Sequence, residues 1–195
     1  MPMNRPLRTA PLLLLLAACA ATAPREDTAG APHATTAATP ARPQASRAEI
    51  ALAPASASLV SGKLTAVPMG AGVHLAGEVG GLAPGAAHAI HVHEKGDCSA
   101  VDASSAGAHF NPDGAPHGRA GQGPHHAGDM DNLSADARGV ARVNAHLTGV
   151  TLGDGGARDI AGRAVIVHAQ PDDYRSQPAG NAGARVACGV IRVVR

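Results

Sequence analysis

From about Arg47 onward, short runs of partly alternating apolar and polar residues recur, each ended by a glycine-rich turn. The runs are Leu59–Val67, Val73–Val79, Ile90–His93, Gly139–Leu147, Ala164–His168 and Val186–Val194. Alternation with period two puts one set of side chains on each face of a strand. No long stretch keeps the i, i+3, i+4 spacing of a helix. The pattern therefore predicts an all-β domain, an antiparallel sandwich or barrel. Alanine, a poor strand former, is the feature that argues against it. Two stretches carry no strand pattern, Lys95 to about Asn132 and Ala169 to Ala184. Long loops held in a compact domain usually carry function. Neither has the apolar content to order itself, so a metal ion and a covalent link are the expected supports.

The N-terminal part follows other rules. Arg5 and Arg8 precede an apolar run, Leu12–Leu16, too short to span a bilayer as a helix. Leu16-Ala17-Ala18-Cys19 resembles a bacterial lipobox, so residues 1–18 are expected to be a signal peptide and Cys19 a lipidated N-terminus. Several acyl chains anchor stably, each buried CH₂ adding about 0.8 kcal/mol. Ala20 and Ala21 after the cysteine fit the outer membrane rather than the inner. Residues 19–46 are rich in Ala, Thr and Pro without periodicity and read as a disordered tether. A coil of that length reaches roughly 30 Å. The expected location is the periplasmic face of a bacterial cell envelope.

Composition narrows the chemistry. The formal charge is +1, with one Phe, one Tyr and no Trp in 195 residues. No basic face or aromatic platform suggests nucleic acid as a partner. Histidine is abundant, 11 residues, most of them between His88 and His126. Apart from Cys19, only Cys98 and Cys188 remain. In an exported domain such a pair most simply forms one disulfide. Its loop of about 90 residues would add roughly 4 to 5 kcal/mol in the chain-entropy description. Thiolate ligation of a metal is the alternative, though the histidines make it unnecessary.

His91 and His93 lie two apart in a strand and so share a face, with Ile90 and Val92 turned to the core. Alone they could equally be a surface pair. His168 ends the apolar run Ala164–Val167, at a strand terminus from which it can complete a site. His91, His93 and His168 form an all-imidazole set of the kind that suits copper. His117, His126 and Asp129 offer two nitrogens and an oxygen, a set that suits tetrahedral zinc. His109 stands between the groups and could serve either.

Four segments carry a resemblance to the copper/zinc superoxide dismutases. His91-Val92-His93-Glu94-Lys95-Gly96-Asp97 is similar to their first copper motif, and Gly107-Ala108-His109-Phe110-Asn111-Pro112 to their bridging-histidine motif. His126-Ala127-Gly128-Asp129 resembles the end of their zinc loop, and Gly180 to Ile191 their C-terminal signature. The matches keep the family's order and span about Leu59 to Val194. The resemblance implies a Greek-key β-sandwich, a flattened eight-stranded barrel of immunoglobulin-like type with two long functional loops, over residues 47–195. It implies copper on His91, His93, His109 and His168, and zinc on His109, His117, His126 and Asp129, one of each ion per subunit. His109 would bridge them as an imidazolate, because two cations acidify the ring. Asp172 matches the carboxylate that joins the outer nitrogens of His91 and His117. Arg185 matches the arginine that attracts superoxide, steering being a known property of the family. Cys98 and Cys188 match its intrasubunit disulfide.

The implied activity is dismutation of superoxide to O₂ and H₂O₂, protecting the envelope from superoxide arising outside the cytoplasm. A metal-buffering lipoprotein of the same fold and a zinc-only structural module are the rival readings. The chain departs from the family at His88-Ala89-Ile90, where glycine and an aromatic are frequent, and at His125, which doubles the zinc-loop histidine. His126 is preferred over His125 on its spacing to Asp129. The loop from His168 to Arg185 is shorter than in animal members, which puts the size of steering in question. His33, His74, His88 and His146 match no ligand role. The resemblance leaves monomer or homodimer open.

Overall fold

A computed structural model describes residues 45–194. The signal peptide, Cys19 and all but the last two residues of the tether lie outside the described residues. Ten strands make up the domain: β1 (Ala48–Pro54), β2 (Ser61–Met69), β3 (Gly72–Gly80), β4 (Ala87–His88), β5 (Ile90–His93), β6 (Leu133–Ser134), β7 (Ala141–Thr148), β8 (Ala164–His168), β9 (Arg185–Val190) and β10 (Arg192–Val193). A three-residue 3₁₀ turn, Ser104–Ala106, is the only helical element among the described residues. No helix described is long and apolar enough to cross a membrane.

Eight strands form one curled sheet in the order β5-β8-β9-β1-β2-β3-β7, with β10 beside β1. All pairings between these strands are antiparallel. The chain leaves β3, builds β4 to β6, and returns to lay β7 beside β3. This excursion is the Greek-key connection. Strand β1 joins the two halves: Ala48 to Leu52 pair with β2, and Ala53 and Pro54 pair with β9. The expected flattened eight-stranded barrel is thus present.

The alternation seen in the sequence becomes burial. Along β1, Ala48, Ile50 and Leu52 point inward and their neighbours outward. Val73, Leu75 and Val79 of β3 and Ala141, Val143 and Leu147 of β7 enclose the same core. β2 and β3 meet through a two-residue turn in which Gly70 has φ +56°. A positive φ at that position is what a tight hairpin turn asks of glycine.

Strands β5 and β8 differ, because every residue in them is buried. Their outer face is covered by the loop that follows β5. Ala55, Ala103, Ala106, Ala164, Ile166 and Cys188 form a second apolar cluster there, with Cys98 against it. Small side chains let the loop lie flat on the sheet, which accounts for part of the alanine that argued against strands. The Cys98–Cys188 disulfide closes this layer, with Cα atoms 5.8 Å apart.

The sequence marks strand β1 only as a change of character near Arg47, since one of its three inward positions is Ala48 and Ala51 and Ala53 flank Leu52. The Val186–Val194 run is two strands. Ile191 breaks the ladder, its N–H donating to the Arg163 carbonyl; β9 lies between β8 and β1, whereas β10 pairs with β1 alone.

Candidate metal centre

Strand geometry sets the first group. His91 and His93 project from β5 on the face away from Ile90 and Val92. β5 pairs with β8 in a register that puts Ile90 opposite Val167. A register shift between Val167 and His168 then brings His168 beside them, as bulges re-aim a side chain at the end of a strand. An isolated bridge between His93 and His109 carries the fourth ring in.

Each ring is fixed through one nitrogen. His91 Nε2 lies 2.9 Å from Asp172 Oδ2, and His93 Nδ1 is 2.9 Å from the Gly107 carbonyl. His168 Nδ1 makes a longer contact, 3.4 Å, with the Gly183 carbonyl. The opposite nitrogens, His91 Nδ1, His93 Nε2 and His168 Nε2, are buried without a partner, as is His109 Nε2. A buried polar atom left unpaired costs about 1–3 kcal/mol. Four such atoms converging within 4.8 Å of one another are accounted for by a cation that takes their lone pairs.

The second group is carried by the loop. His109, His117, His126 and Asp129 bring one atom each to within 4.8 Å of one another. His109 Nδ1 is 2.9 Å from Asp129 Oδ1, and His126 Nδ1 is 3.4 Å from both of those atoms. His117 Nδ1 lies 3.1 Å from Asp129 Oδ2 without the alignment of a hydrogen bond. His109 therefore belongs to both groups, Nε2 facing the first and Nδ1 the second. All seven side chains are buried. His125 stands apart and uses Nδ1 to donate to the His126 carbonyl.

The copper/zinc superoxide dismutase (SODC) family model matches residues 60–191. Superoxide dismutase [Cu-Zn] 2 of Aquifex aeolicus is 43% identical over 136 residues, 68% of this chain and 80% of that protein. Superoxide dismutase [Cu-Zn] of Caulobacter vibrioides is 43% identical over 137 residues, 68% and 78% of the two chains. The chain belongs to the copper/zinc superoxide dismutase family. Among solved structures, a SOD-like protein from Bacillus subtilis superposes with a TM-score of 0.66 at 34% identity, covering 73% of this chain and 97% of that one. The clock protein EA4 gives 0.69 at 36%, covering 78% and 98%.

The Asp172 carboxylate lies between the two groups. Oδ2 accepts from His91 and Oδ1 from His117 Nε2 at 2.9 Å, so one carboxylate holds a ring of each group. Burial opposes its charge, and the hydrogen bonds from His91 and His117 outweigh that, holding its pKa below the usual carboxylate value. Burial likewise opposes the charge of Asp129. Hydrogen bonds from His109 and His126 prevail there, and its pKa falls well below the ordinary range. Burial pushes His93 down to about 2, His168 to about 3 and His109 to about 4. Near neutral pH these three imidazoles keep free lone pairs and the carboxylates keep their charge, as cation ligands must.

A cleft of about 500 Å³ opens on the first group, lined among others by His93, His109, His168, Pro178 and Arg185. Arg185 donates from Nη1 to the Ala103 carbonyl at 2.7 Å and from Nη2 to the Gly107 carbonyl at 2.6 Å. The Gly107 carbonyl thus serves both Arg185 and His93, tying the guanidinium to a ring of the first group. Partial burial lowers the Arg185 pKa, but a guanidinium remains charged throughout the working range.

Several positioning residues escaped the sequence reading. Asn132 grips the Asp172 backbone, Nδ2 donating to its carbonyl at 2.9 Å and Oδ1 accepting its N–H at 2.8 Å. The Tyr174 hydroxyl accepts the Asn132 N–H at 2.8 Å. Gln177 does the same for His117: Oε1 accepts its N–H and Nε2 donates to its carbonyl, both at 2.9 Å. A side chain at Gly180, where φ is +66°, would collide with Asp172 Oδ1 and His117 Nε2. Nothing in the spacing marks Asn132 or Gln177, because both act on the backbone of distant residues.

Proposed function

We propose that His91, His93, His109 and His168 hold the copper and that His109, His117, His126 and Asp129 hold the zinc, with the enzyme working in the cell envelope. Its family makes the enzyme a superoxide dismutase with copper and zinc as cofactors. One observation carries the residue assignment: the His109 ring presents its two nitrogens to two different buried ligand groups. An all-imidazole group suits copper, and a group with a carboxylate suits zinc.

Copper, when bound, supplies the one-electron couple that lets one superoxide be oxidised to O₂ and another reduced. The protein's own residues do the rest. Arg185 places a fixed positive charge at the mouth of the cleft, where it attracts and orients a small anion. The carbonyls of Ala103 and Gly107 hold that charge in position. His109 Nε2 lies toward the first group while Nδ1 stays toward Asp129, so Nε2 is the nitrogen that would carry and deliver a proton when it is not holding the copper. Asp172 fixes the tautomers of His91 and His117 by accepting at Nε2 of each. The second proton of H₂O₂ comes from solvent at the open side of the cleft.

Inhibition of cytochrome c reduction by superoxide from xanthine oxidase, measured beside metal content, tests the reading. Inhibition by protein holding both ions is expected. Bound copper with no inhibition would favour metal buffering instead. The leader Arg5–Leu16 and the lipobox ending at Cys19 support an envelope location and a lipid anchor. Full-length protein is expected in the membrane fraction, and Cys19→Ser in the soluble one. Equal partition of the two would remove the anchor.

A further inference from the structure

Two histidines outside the metal groups face each other on the outer surface of the barrel. His74 on β3 and His146 on β7 are direct partners in the antiparallel register. Side chains so placed have Cβ atoms about 4.5–5.5 Å apart. Their ring centres are 6.5 Å apart with planes at 29°. Neighbouring rings within each buried group have centres between 4.0 and 6.2 Å apart. The outer pair therefore stands at the edge of the separation over which two imidazoles share an ion. His146 is exposed, so its side chain has space to turn toward His74.

The strand prepares the place. Gly72 lies two residues before His74 on the same face of β3, and a Cβ there would stand 3.1 Å from His146 Nε2. The His146 ring thus leans across β3 over a position that has no side chain. The next residue on that face is Ala76, opposite Asn144, which leaves room for water to fill the remaining coordination positions. His74 Nδ1 is buried and has no hydrogen-bond partner. Five ring nitrogens of the two buried groups share that state, as does His88 Nε2 outside them.

We propose that His74 and His146 form a third metal site, on the outer face of the β2–β3–β7 sheet, that binds a divalent transition ion and prefers Cu²⁺. Imidazole nitrogen suits copper and zinc, and among first-row divalent ions copper binds such donors most strongly. Two protein donors and an open surface make the site weaker than either buried group. The ion is held by rings from neighbouring strands of a rigid sheet, so binding needs no movement of the backbone.

Protein already carrying its two buried ions is titrated with Cu²⁺, followed by calorimetry and by electron paramagnetic resonance of the frozen solution. The expected result is a third equivalent with nitrogen coupling in the signal. It should be lost in His146→Ala and in His74→Ala, while both variants keep two ions and full dismutase activity. His146 is exposed, so its replacement leaves the fold intact. Saturation of the unaltered protein at two ions, or a third equivalent that persists in either variant, would overturn the site.

Discussion

The two ligand groups are built by different means. The first rests on strands: His91 and His93 come from β5 and His168 from β8, and sheet pairing sets their spacing. The second rests on the loop between β5 and β6, where His117 and His126 lie outside any strand pairing and Asp129 has a single isolated bridge, to His91. Their places are set by hydrogen bonds from outside the loop, by Gln177 and Asp172 on His117 and by the Cys98–Cys188 link near its start. A sheet fixes ligands before an ion arrives. A loop pinned at a few points needs the ion to finish its folding. The first group should therefore be preorganised and the second coupled to local folding.

The comparison is broken most severely by Asp129→Ala. It removes the only carboxylate of the second group and the partner of His109 Nδ1. Stoichiometric zinc should be lost while copper is retained, as read by metal analysis; loss of both ions equally would deny the distinction. Cys98→Ser should come next, lowering stability by about 2–5 kcal/mol. Amide hydrogen exchange should then rise in residues 95–132 far more than in β5 and β8. Asp172→Asn should weaken zinc retention about 10- to 100-fold, because His117 loses the acceptor that sets its tautomer. Unchanged zinc release to a chelator would count against that link. The smallest effect belongs to Gln177→Ala, about 1 kcal/mol from two hydrogen bonds with a neutral partner. It should speed zinc release several-fold and leave copper release alone.

Acid sharpens the same contrast in the metal-free protein. His93, His168 and His109 have folded pKa values of about 2, 3 and 4, below the ordinary 6.5. As pH falls below about 6.5 the unfolded chain takes up protons that the folded chain refuses, so stability must fall. Asp129 and Asp172, with lowered pKa values, favour the folded state until pH drops through their own folded range. The urea midpoint of metal-free protein should decline between pH 7 and pH 4. A flat midpoint over that interval would mean that the three rings are not desolvated.

The strand-built group was the more legible in the sequence, and for a physical reason. Period two in Ile90–His93 and the apolar run ending at His168 are local patterns, and each places a side chain without knowledge of the rest. His117, His126 and Asp129 follow no period and were readable as a set through donor chemistry and family motif. Asn132, Gln177 and the Gly107 carbonyl left no trace, since their partners lie 40, 60, and 14 or 78 residues away. The barrel was readable from alternation, while β1 was hidden by alanine and the break at Ile191 by the loss of β8 as a second partner, which only the assembled sheet shows.

Shared use of one ring is the claim on which the centre depends. A crystal structure of the oxidised, fully loaded enzyme, with anomalous scattering measured at the copper and zinc edges, tests it directly. The account predicts copper at His109 Nε2 beside His91, His93 and His168, and zinc at His109 Nδ1 beside His117, His126 and Asp129. A structure in which His109 contacts a single ion, or neither, would contradict it.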